Sequence, residues 1–402
     1  MRAPALADTV EGRSPALGRR LLHAAFFGSG FAALLYEVVW ERLLSLFSGS
    51  GVISATLVVA AFLAGLGLGS LAGSRWSDHL SPRQAVSAFA VANAAIASFA
   101  LASPALFYDG LFRSLSTLAG SRSLVFLISF LGLLVPTALM GLSLPLLSRA
   151  VAGGGGQAAA LVSRLYAADL AGAGIGTFVT GWWLQGTLGL VGTLRFGAGI
   201  SFLVACLALA ARAGFSTERA TRPEGGAPAI DRETRSWVLL VAVSGFLSIS
   251  LEIVWFRYFA VVLQSSAYVF AHVLGVFLVF DAVGLWWGAR VLERIPDRRT
   301  AFAFFTAGPV LWTLGVLCLF GHPSLTALNE YTLEDRSALS NFILLALQPL
   351  VLIAPAAILI GMTFPTAQAA VQRDTSQVGR RVGLLVWAVI VGNTAGSLTA
   401  SN

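Results

Sequence analysis

Eleven apolar segments, each long enough to cross a bilayer as a helix, dominate this chain. They fall near 21–47, 52–74, 84–108, 123–148, 162–186, 191–211, 237–262, 267–289, 301–321, 341–370 and 382–402. A hydrocarbon core about 30 Å thick needs roughly 20 helical residues. Only 11% of the residues are charged, against about 25% in soluble domains, which is too few for a water-facing shell. The sequence therefore predicts an all-α polytopic membrane protein.

The first two segments are repeated later in the chain. A shift of 215 residues, without a gap, aligns 29–75 with 244–290 and gives 14 identities in 47 positions. The identical residues of the first copy are Ser29, Gly30, Phe31, Glu37, Val39, Trp40, Arg42, Ser50, Val58, Phe62, Leu63, Gly69, Gly73 and Arg75. Apolar composition alone would not place Glu, Trp, Arg and Gly in register, so the chain is predicted to be a duplicated unit.

The duplication sets the predicted domain organisation. A tail over 1–20 precedes a first transmembrane repeat of six helices over 21–211, and the polar segment 212–235 is predicted to be a linker. The second repeat, 236–402, contains five segments, so we expect a fragment or a protein without its last helix. Because six helices return the chain to its starting side, the two repeats are parallel and pseudo-symmetric, as in major facilitator (MFS) transporters.

The distribution of arginine, which supplies all 26 basic residues, predicts the orientation. With a cytoplasmic N-terminus, 20 arginines fall on the cytoplasmic side and four on the other. Basic residues near the ends of spans collect in the cytoplasm. We therefore expect a multi-pass protein of the inner (plasma) membrane, with the lipid bilayer as its surroundings and a cytoplasmic N-terminus and linker. The net charge of +7 then requires no nucleic-acid partner.

A charged cluster lies inside the first helix of each repeat. An ionised side chain at membrane depth costs about 3 kcal/mol or more unless it is paired, so it usually faces a bundle interior or an aqueous cavity. Pairing Glu37 with Arg257, and Glu252 with Arg42, would satisfy both copies. These pairs either lock the halves together, or a glutamate leaves its arginine to bind a cationic solute or a proton. The predicted pathway residues are Glu37, Trp40, Arg42, Glu252, Trp255, Arg257 and Asp281.

Two aspartates interrupt other apolar segments. Asp281 replaces Leu66 of the first copy halfway along a span, and is either a proton or cation site or a buried hydrogen-bonding group. The segment YAADLAG (166–172) matches IVGNTAG (390–396), which places Asp169 opposite Asn393. Because Asp169 lies toward the cytoplasmic end of its segment, we expect a helix-end hydrogen bond there rather than transport chemistry.

The loop after the second span is a candidate gate. Arg75, Asp78 and Arg83, with Arg290 in the second copy, loosely resemble the Gly-x-x-x-Asp-Arg-x-Gly-Arg loop of MFS transporters, which controls closure of the two halves. The spacing differs from that pattern. Glycines four residues apart lead into this loop and favour close packing of helices. They are Gly65, Gly69 and Gly73, with Gly284 and Gly288 in the copy.

A pair of prolines also recurs. The segment LVPTALMGLSLP (134–145) returns as IAPAAILIGMTFP (353–365). Two prolines in one span kink or break it, and the freed backbone groups must be satisfied inside the protein or by a cavity. Matching interruptions in two halves indicate a substrate pathway, or a kink that only shapes the packing.

The sequence contains no arrangement typical of catalysis or of cofactor binding. Its four histidines are scattered without metal-ligand spacing, and the glycine run 153–156 has neither a preceding strand nor a following Lys-Ser or Lys-Thr. We find no nucleophile with a base and an orienting group. We therefore expect no catalytic residue, no metal and no cofactor in this chain.

The blocks SGFAALLYEVVWER, FLAGLGLGSLAGSR, MGLSLP and YAADLAGAGIG resemble the membrane region of the fused MFS/spermidine synthase family. In that family an aminopropyltransferase domain commonly follows the membrane region. It binds decarboxylated S-adenosylmethionine and a polyamine through a GGG-x-G loop and aspartates, motifs that this chain lacks. The resemblance implies two functions. The chain either transports a small, polyamine-like cation, or it anchors a spermidine-synthase-like domain or subunit in the membrane.

Overall fold

A computed structural model describes residues 15–48, 51–107, 122–152, 158–218, 231–262, 269–291, 294–321, 343–372 and 377–400. Within these ranges the chain forms helices and no strand. Ten continuous helical stretches are long and apolar enough to cross a membrane. One of them, Ala158–Gly214, holds two predicted crossings, which are separated at Gly189 by a non-helical backbone with φ of +66°. The fold is thus the predicted all-α polytopic one.

The main helices correspond to the predicted six and five crossings. They are α1 (Pro15–Ser48), α2 (Gly51–Trp76), α3 (Pro82–Ala105), α4 (Arg122–Val151), α5 (Ala158–Val179), α6 (Gln185–Ala211), α7 (Arg232–Val262), α8 (Val269–Val291), α9 (Arg298–Phe320), α10 (Ala354–Val371) and α11 (Val378–Ala400). Helix α1 begins inside the predicted tail, and α7 begins inside the predicted linker. A helix can extend past the hydrocarbon core by polar turns, which hydropathy does not register.

The packing of the helices repeats the pseudo-symmetry of the sequence. Helix α1 lies against α5 as α7 lies against α11, and α2 lies against α4 as α8 lies against α10. The recurring glycines lie at these crossings, as predicted. A Cβ on Gly69 would meet the backbone of α4, and one on Gly284 would meet the backbone of α10. The halves meet through α5 with α8 and through α2 with α11.

Two buried tryptophans fasten the first helix of each half to the third. Trp40 Nε1 donates a hydrogen bond to Ser103 Oγ at 3.0 Å, and Trp255 Nε1 donates to Thr313 Oγ1 at 3.2 Å. Both indole side chains are fully buried. The two residues therefore make equivalent structural contacts in the two repeats.

The proline segments keep a helical backbone in both halves. Helix α4 runs without a break through Pro136 and Pro145. In the second half a short helix (Gln348–Leu352) joins α10 at Ile353, whose backbone angles are helical and whose N–H donates to the carbonyl of Pro349 at 2.8 Å. Neither segment is broken, and the pathway role of the prolines stays a prediction.

Candidate functional site

A cavity of about 340 Å³ lies between the two halves. Both halves contribute to its walls, through α1, α2, α4 and α5 on one side and α7, α8, α10 and α11 on the other. Four of its lining side chains are acids: Glu37, Asp169, Glu252 and Asp281. The described residues of the lining include no Arg, Lys or His. Drug-sized ligands occupy pockets of about 300 Å³ and more, so the volume suits a small solute.

The repeat places the polar lining residues at two depths. Glu37 lies seven residues after Gly30 on α1, and Gly30 packs against Asp169 of α5. Glu252 likewise lies seven residues after Gly245 on α7, and Gly245 packs against Asn393 of α11. Seven helical residues rise about 10 Å. The glutamates thus form one level, and Asp169 with Asn393 forms a second level, closer to the side on which α1 begins.

The four carboxylates have no counter-charge in the part of the chain that the structure describes. No hydrogen bond or ion pair from a described residue reaches them. Glu252 lines the same cavity as Glu37 and Asp281, so their negative charges repel one another. Burying like charges away from water is costly unless a proton or a cation neutralises them. The cavity is therefore built to attract positive charge.

The remaining lining is mainly apolar and aromatic, with a few hydroxyl groups. Ser29 and Ser244 are equivalent in the two repeats, as are Phe62 and Phe277. The ring of Tyr166 packs against Phe364 with their centroids 5.0 Å apart. Aromatic rings and aliphatic groups can contact the carbon skeleton of a solute, and hydroxyl groups can accept hydrogen bonds from its donors. An organic cation would find partners for both of its parts.

The structure separates the predicted pathway residues into two groups. Glu37, Glu252 and Asp281 line the cavity. Arg42 and Arg257 have exposed side chains and do not line it, and Trp40 and Trp255 serve the packing described above. The expected cross-pairing of glutamates with arginines is replaced by a site in which only the acids face the cavity. Glu and Arg five residues apart point about 140° away from each other on a helix, so one face cannot present both.

The expectation for Asp169 was wrong. Asp169 is the twelfth residue of α5, well inside the helix, and it lines the cavity instead of bonding a helix end. Sequence reasoning could have found it from the repeat, because Asn393 places a second polar side chain at the equivalent point of an apolar span. With its amide oriented to donate, Asn393 bonds the carbonyl of Gly245 at 2.8 Å.

Of the predicted gating residues, Asp78 bridges the two halves. Its carboxylate accepts hydrogen bonds from the backbone N–H groups of Gly379 at 3.0 Å and Arg380 at 2.9 Å, in the first turn of α11. Carboxylates are favoured at helix N-termini by the helix dipole. A contact that sequence reasoning missed lies nearby, where the buried Arg149 donates from Nε to the carbonyl of Leu80 at 3.3 Å. We call the side of the molecule that holds the α2–α3 connection and the start of α11 the basic side.

The arginines of the predicted gate lie elsewhere. Arg75 is exposed, and Arg83 donates its backbone N–H to the carbonyl of Ser216 at 3.1 Å. The Arg290 guanidinium stacks 3.3 Å from the ring centroid of Trp286 in its own helix, α8. The contact across the halves on this side is therefore carried by a carboxylate and a helix N-terminus.

Replacing Asp78 by Ala is expected to loosen the contact between the halves on the basic side. The change removes two charge-assisted hydrogen bonds, each worth about 1.5–3 kcal/mol. Ser74, which packs against Gly383 of α11, provides a reporter after its replacement by Cys. In a background without Cys206 and Cys318, maleimide labelling of this cysteine should become at least several-fold faster.

The matched control for this change is Asp297→Ala. Asp297 caps α9 through the backbone N–H groups of Arg299 and Thr300, within one half. A hydrogen bond from the Thr300 hydroxyl, together with those from the two backbone N–H groups, lowers the pKa of Asp297. The control should leave the labelling rate unchanged. Equal rates in wild type and Asp78→Ala would mean that Asp78 does not hold the halves together.

Comparisons with known proteins bear on the fold. No family sequence model and no curated protein sequence matches the chain. Among solved structures, it is similar to a bacterial homologue of the iron transporter ferroportin in its outward-facing state (TM-score 0.62, 13% identity, 95% of this chain and 92% of that one). It is also similar to the E. coli fucose:proton symporter FucP (0.61, 15%, 97% and 94%) and to the MFS proton:xylose symporter XylE (0.61, 15%, 96% and 88%).

These likenesses extend over nearly the whole chain and define its fold. The protein is a multi-pass, all-helical membrane protein with the fold of major facilitator transporters. At 13–15% identity the similarity reaches the architecture and not the solute. The residues that line the cavity determine what it binds.

Proposed function

We propose that this protein is a transporter that moves a small organic cation through the central cavity. One observation carries the proposal: four carboxylates without a described partner line a cavity between two pseudo-symmetric halves, and the described lining offers no basic side chain. In this fold, a solute site between the repeats suits alternating access by rocking of one half against the other. A site of uniform negative charge selects against anions and favours cations.

The shape of the lining favours an elongated, polyamine-like cation. Glu37 and Glu252 line the cavity from opposite halves, among apolar side chains. A linear amine places ammonium groups at its ends and methylene groups between them. The sequence resemblance to the fused MFS/spermidine synthase family suggests the same class of solute. The names of the structurally similar proteins specify other solutes, so these proteins support only the fold.

The proposed cycle uses the contact of Asp78 with α11 as a releasable closure. In the structure this contact joins the halves on the basic side, which we propose faces the cytoplasm of a plasma membrane. Movement of the solute to that side requires its two hydrogen bonds to break. A closure worth a few kcal/mol is strong enough to favour one state and weak enough to be reversed by binding.

The runner-up function is a membrane anchor for an aminopropyltransferase domain or subunit. An anchor has no need of an internal acidic cavity, and it would be stable with its acids paired. The four carboxylates facing a cavity favour the transporter. The alternative stays distinguishable, because an anchor would bind polyamines only together with its enzyme partner.

Calorimetric titration of the purified chain tests the proposal. Putrescine and spermidine are the probes, and succinate, a four-carbon dianion matched to putrescine in length, is the control ligand. We expect saturable binding of both amines and none of succinate. Binding of succinate, or binding of amines only after a synthase-like domain is added, would contradict a cation-transporting cavity in this chain.

A further inference from the structure

The four cavity acids fall into two classes by their symmetry. Glu37 and Glu252 are equivalent in the two repeats. The aspartates have no acidic equivalent, because Asp169 corresponds to Asn393 and Asp281 corresponds to Leu66. An acid that is present in only one of the two repeats adds a charge beyond the symmetric pair of glutamates. The two aspartates therefore break the symmetry of the acidic site.

In both aspartates, a carboxyl oxygen lies close to the backbone of a glycine on a neighbouring helix. Oδ1 of Asp169 lies 2.9 Å from the point where a Cβ of Gly30 would stand. Oδ1 of Asp281 lies 2.8 Å from the same point on Gly361. Glycine leaves room for this approach, since any larger residue would collide with the carboxyl group. The geometry removes water from one face of each carboxyl group.

Asn393 shows which hydrogen bond a side chain at this position can make. Its amide atom lies 3.0 Å from the Cβ point of Gly245, the equivalent of Gly30, and as a nitrogen it donates to the Gly245 carbonyl at 2.8 Å. Asp169 places an oxygen at the equivalent point beside Gly30. An ionised carboxylate can only accept hydrogen bonds, whereas a protonated one can donate. The geometry that Asp169 shares with Asn393 thus suits a carboxyl group that carries a proton.

The aspartates also lie at the contact between the halves. Gly174 of α5 and Gly275 of α8 approach closely, and a Cβ on Gly174 would lie 2.8 Å from the backbone nitrogen of Val279. Because α5 and α8 run in opposite directions, Asp169 and Asp281 both lie on the basic side of this crossing, within about two helical turns of it. Any rocking of the halves changes the surroundings of both groups.

Few other titratable or charged groups face the two aspartates in the described part of the chain. Tyr166, on the same helix as Asp169, lines the same cavity, as do Glu252 of α7 and Glu37 of α1. The acids are not gathered closely enough to hold a metal ion within the described residues. A proton on the carboxyl group can neutralise each aspartate without a metal ion.

We propose, resting on the transport function above, that Asp169 and Asp281 carry the coupling proton and that Glu37 and Glu252 seat the cation. A cation beside Glu252 adds positive charge near Asp281, which favours an ionised carboxylate. One aspartate then releases its proton to water as the cation binds. The reverse step, protonation of the aspartate, expels the cation. The protein is thus an exchanger of organic cations for protons.

Titration calorimetry in two buffers of different ionisation enthalpy tests this division of roles, with putrescine and spermidine as probes. Wild type should release about one proton for each amine bound. Asp169→Asn combined with Asp281→Leu installs the residues that the other repeat carries. This double variant should bind the amines within about tenfold of wild type and release no proton. Asp297→Asn, an exposed acid outside the cavity, should behave as wild type.

The outcomes separate this inference from the proposed function. Amine binding without proton release in wild type, or unchanged release in the double aspartate variant, would overturn the exchanger and leave a cation site. Failure of wild type to bind either amine would overturn both. If the double variant does not fold, infrared difference spectra of wild type test whether a carboxyl group loses its proton when the amine binds. Putrescine should remove the carbonyl band of a protonated carboxyl group, and persistence of that band would overturn the proposal.

Discussion

Replacement of both Glu37 and Glu252 by glutamine is expected to abolish cation binding and uptake. Each substitution keeps the size of the side chain and removes its charge. A charge-assisted hydrogen bond is worth about 1.5–3 kcal/mol, so the loss of two amounts to roughly 3 kcal/mol or more, on the order of 100-fold in affinity. The readouts are calorimetric affinity for putrescine and its uptake into proteoliposomes.

Glu41→Gln is the matched control for this pair. Glu41 lies on α1 only four residues beyond Glu37 and is absent from the cavity lining. Its neutralisation should leave putrescine affinity unchanged, and all three proteins should keep the same helical content by circular dichroism. A double glutamine variant that still takes up putrescine at the wild-type rate would show that the glutamates are not the cation site.

The sign of the pH dependence follows from proton release. Because one aspartate gives up a proton as the amine binds, amine binding by wild type should weaken as the pH falls. The Asp169→Asn, Asp281→Leu variant should lose this dependence while it keeps its affinity. Binding by wild type that strengthens as the pH falls would contradict proton release on binding.

The helices and the duplication could be predicted from the sequence, because they depend on local hydropathy and on spacing along the chain. The shift of 215 residues also identified Glu37 and Glu252 as an equivalent pair, and both line the cavity. The partners of these residues could not be predicted in the same way. Which face of α1 meets which helix is set by tertiary packing, and the structure places Glu37 in the cavity lining and Arg257 outside it.

Asp169 is a second residue whose surroundings could not be predicted from the sequence. Its distance from the end of an apolar segment indicated a helix-end role, but α5 begins four residues before that segment. The carboxyl group consequently lies about three turns inside the helix and not at its end. Its neighbour, Gly30, is identical in the repeat, yet only the packed helices reveal that Gly30 and Gly245 face Asp169 and Asn393.

Replacement of Gly174 by Leu is expected to disable transport. A Cβ at this position would lie 2.8 Å from the backbone nitrogen of Val279 and 2.9 Å from the carbonyl oxygen of Gly275. Both are backbone atoms of α8, so a side-chain rotation cannot relieve the collision and the two helices must separate. Overpacking of this kind costs about 1–3 kcal/mol or more. Putrescine uptake should fall more than tenfold, and the thermal unfolding midpoint in detergent should drop.

Gly199→Leu separates the effect of this contact from the effect of adding a leucine to a membrane helix. Gly199 is an exposed glycine of α6 with no heavy atom within 4 Å of the position of a new Cβ. Its variant gains the same side chain without a collision, and should keep both its uptake and its unfolding midpoint. Because α5 and α8 join the halves beside Asp169 and Asp281, a Gly174→Leu protein with normal stability and uptake would mean that this close crossing is not needed in the transport cycle.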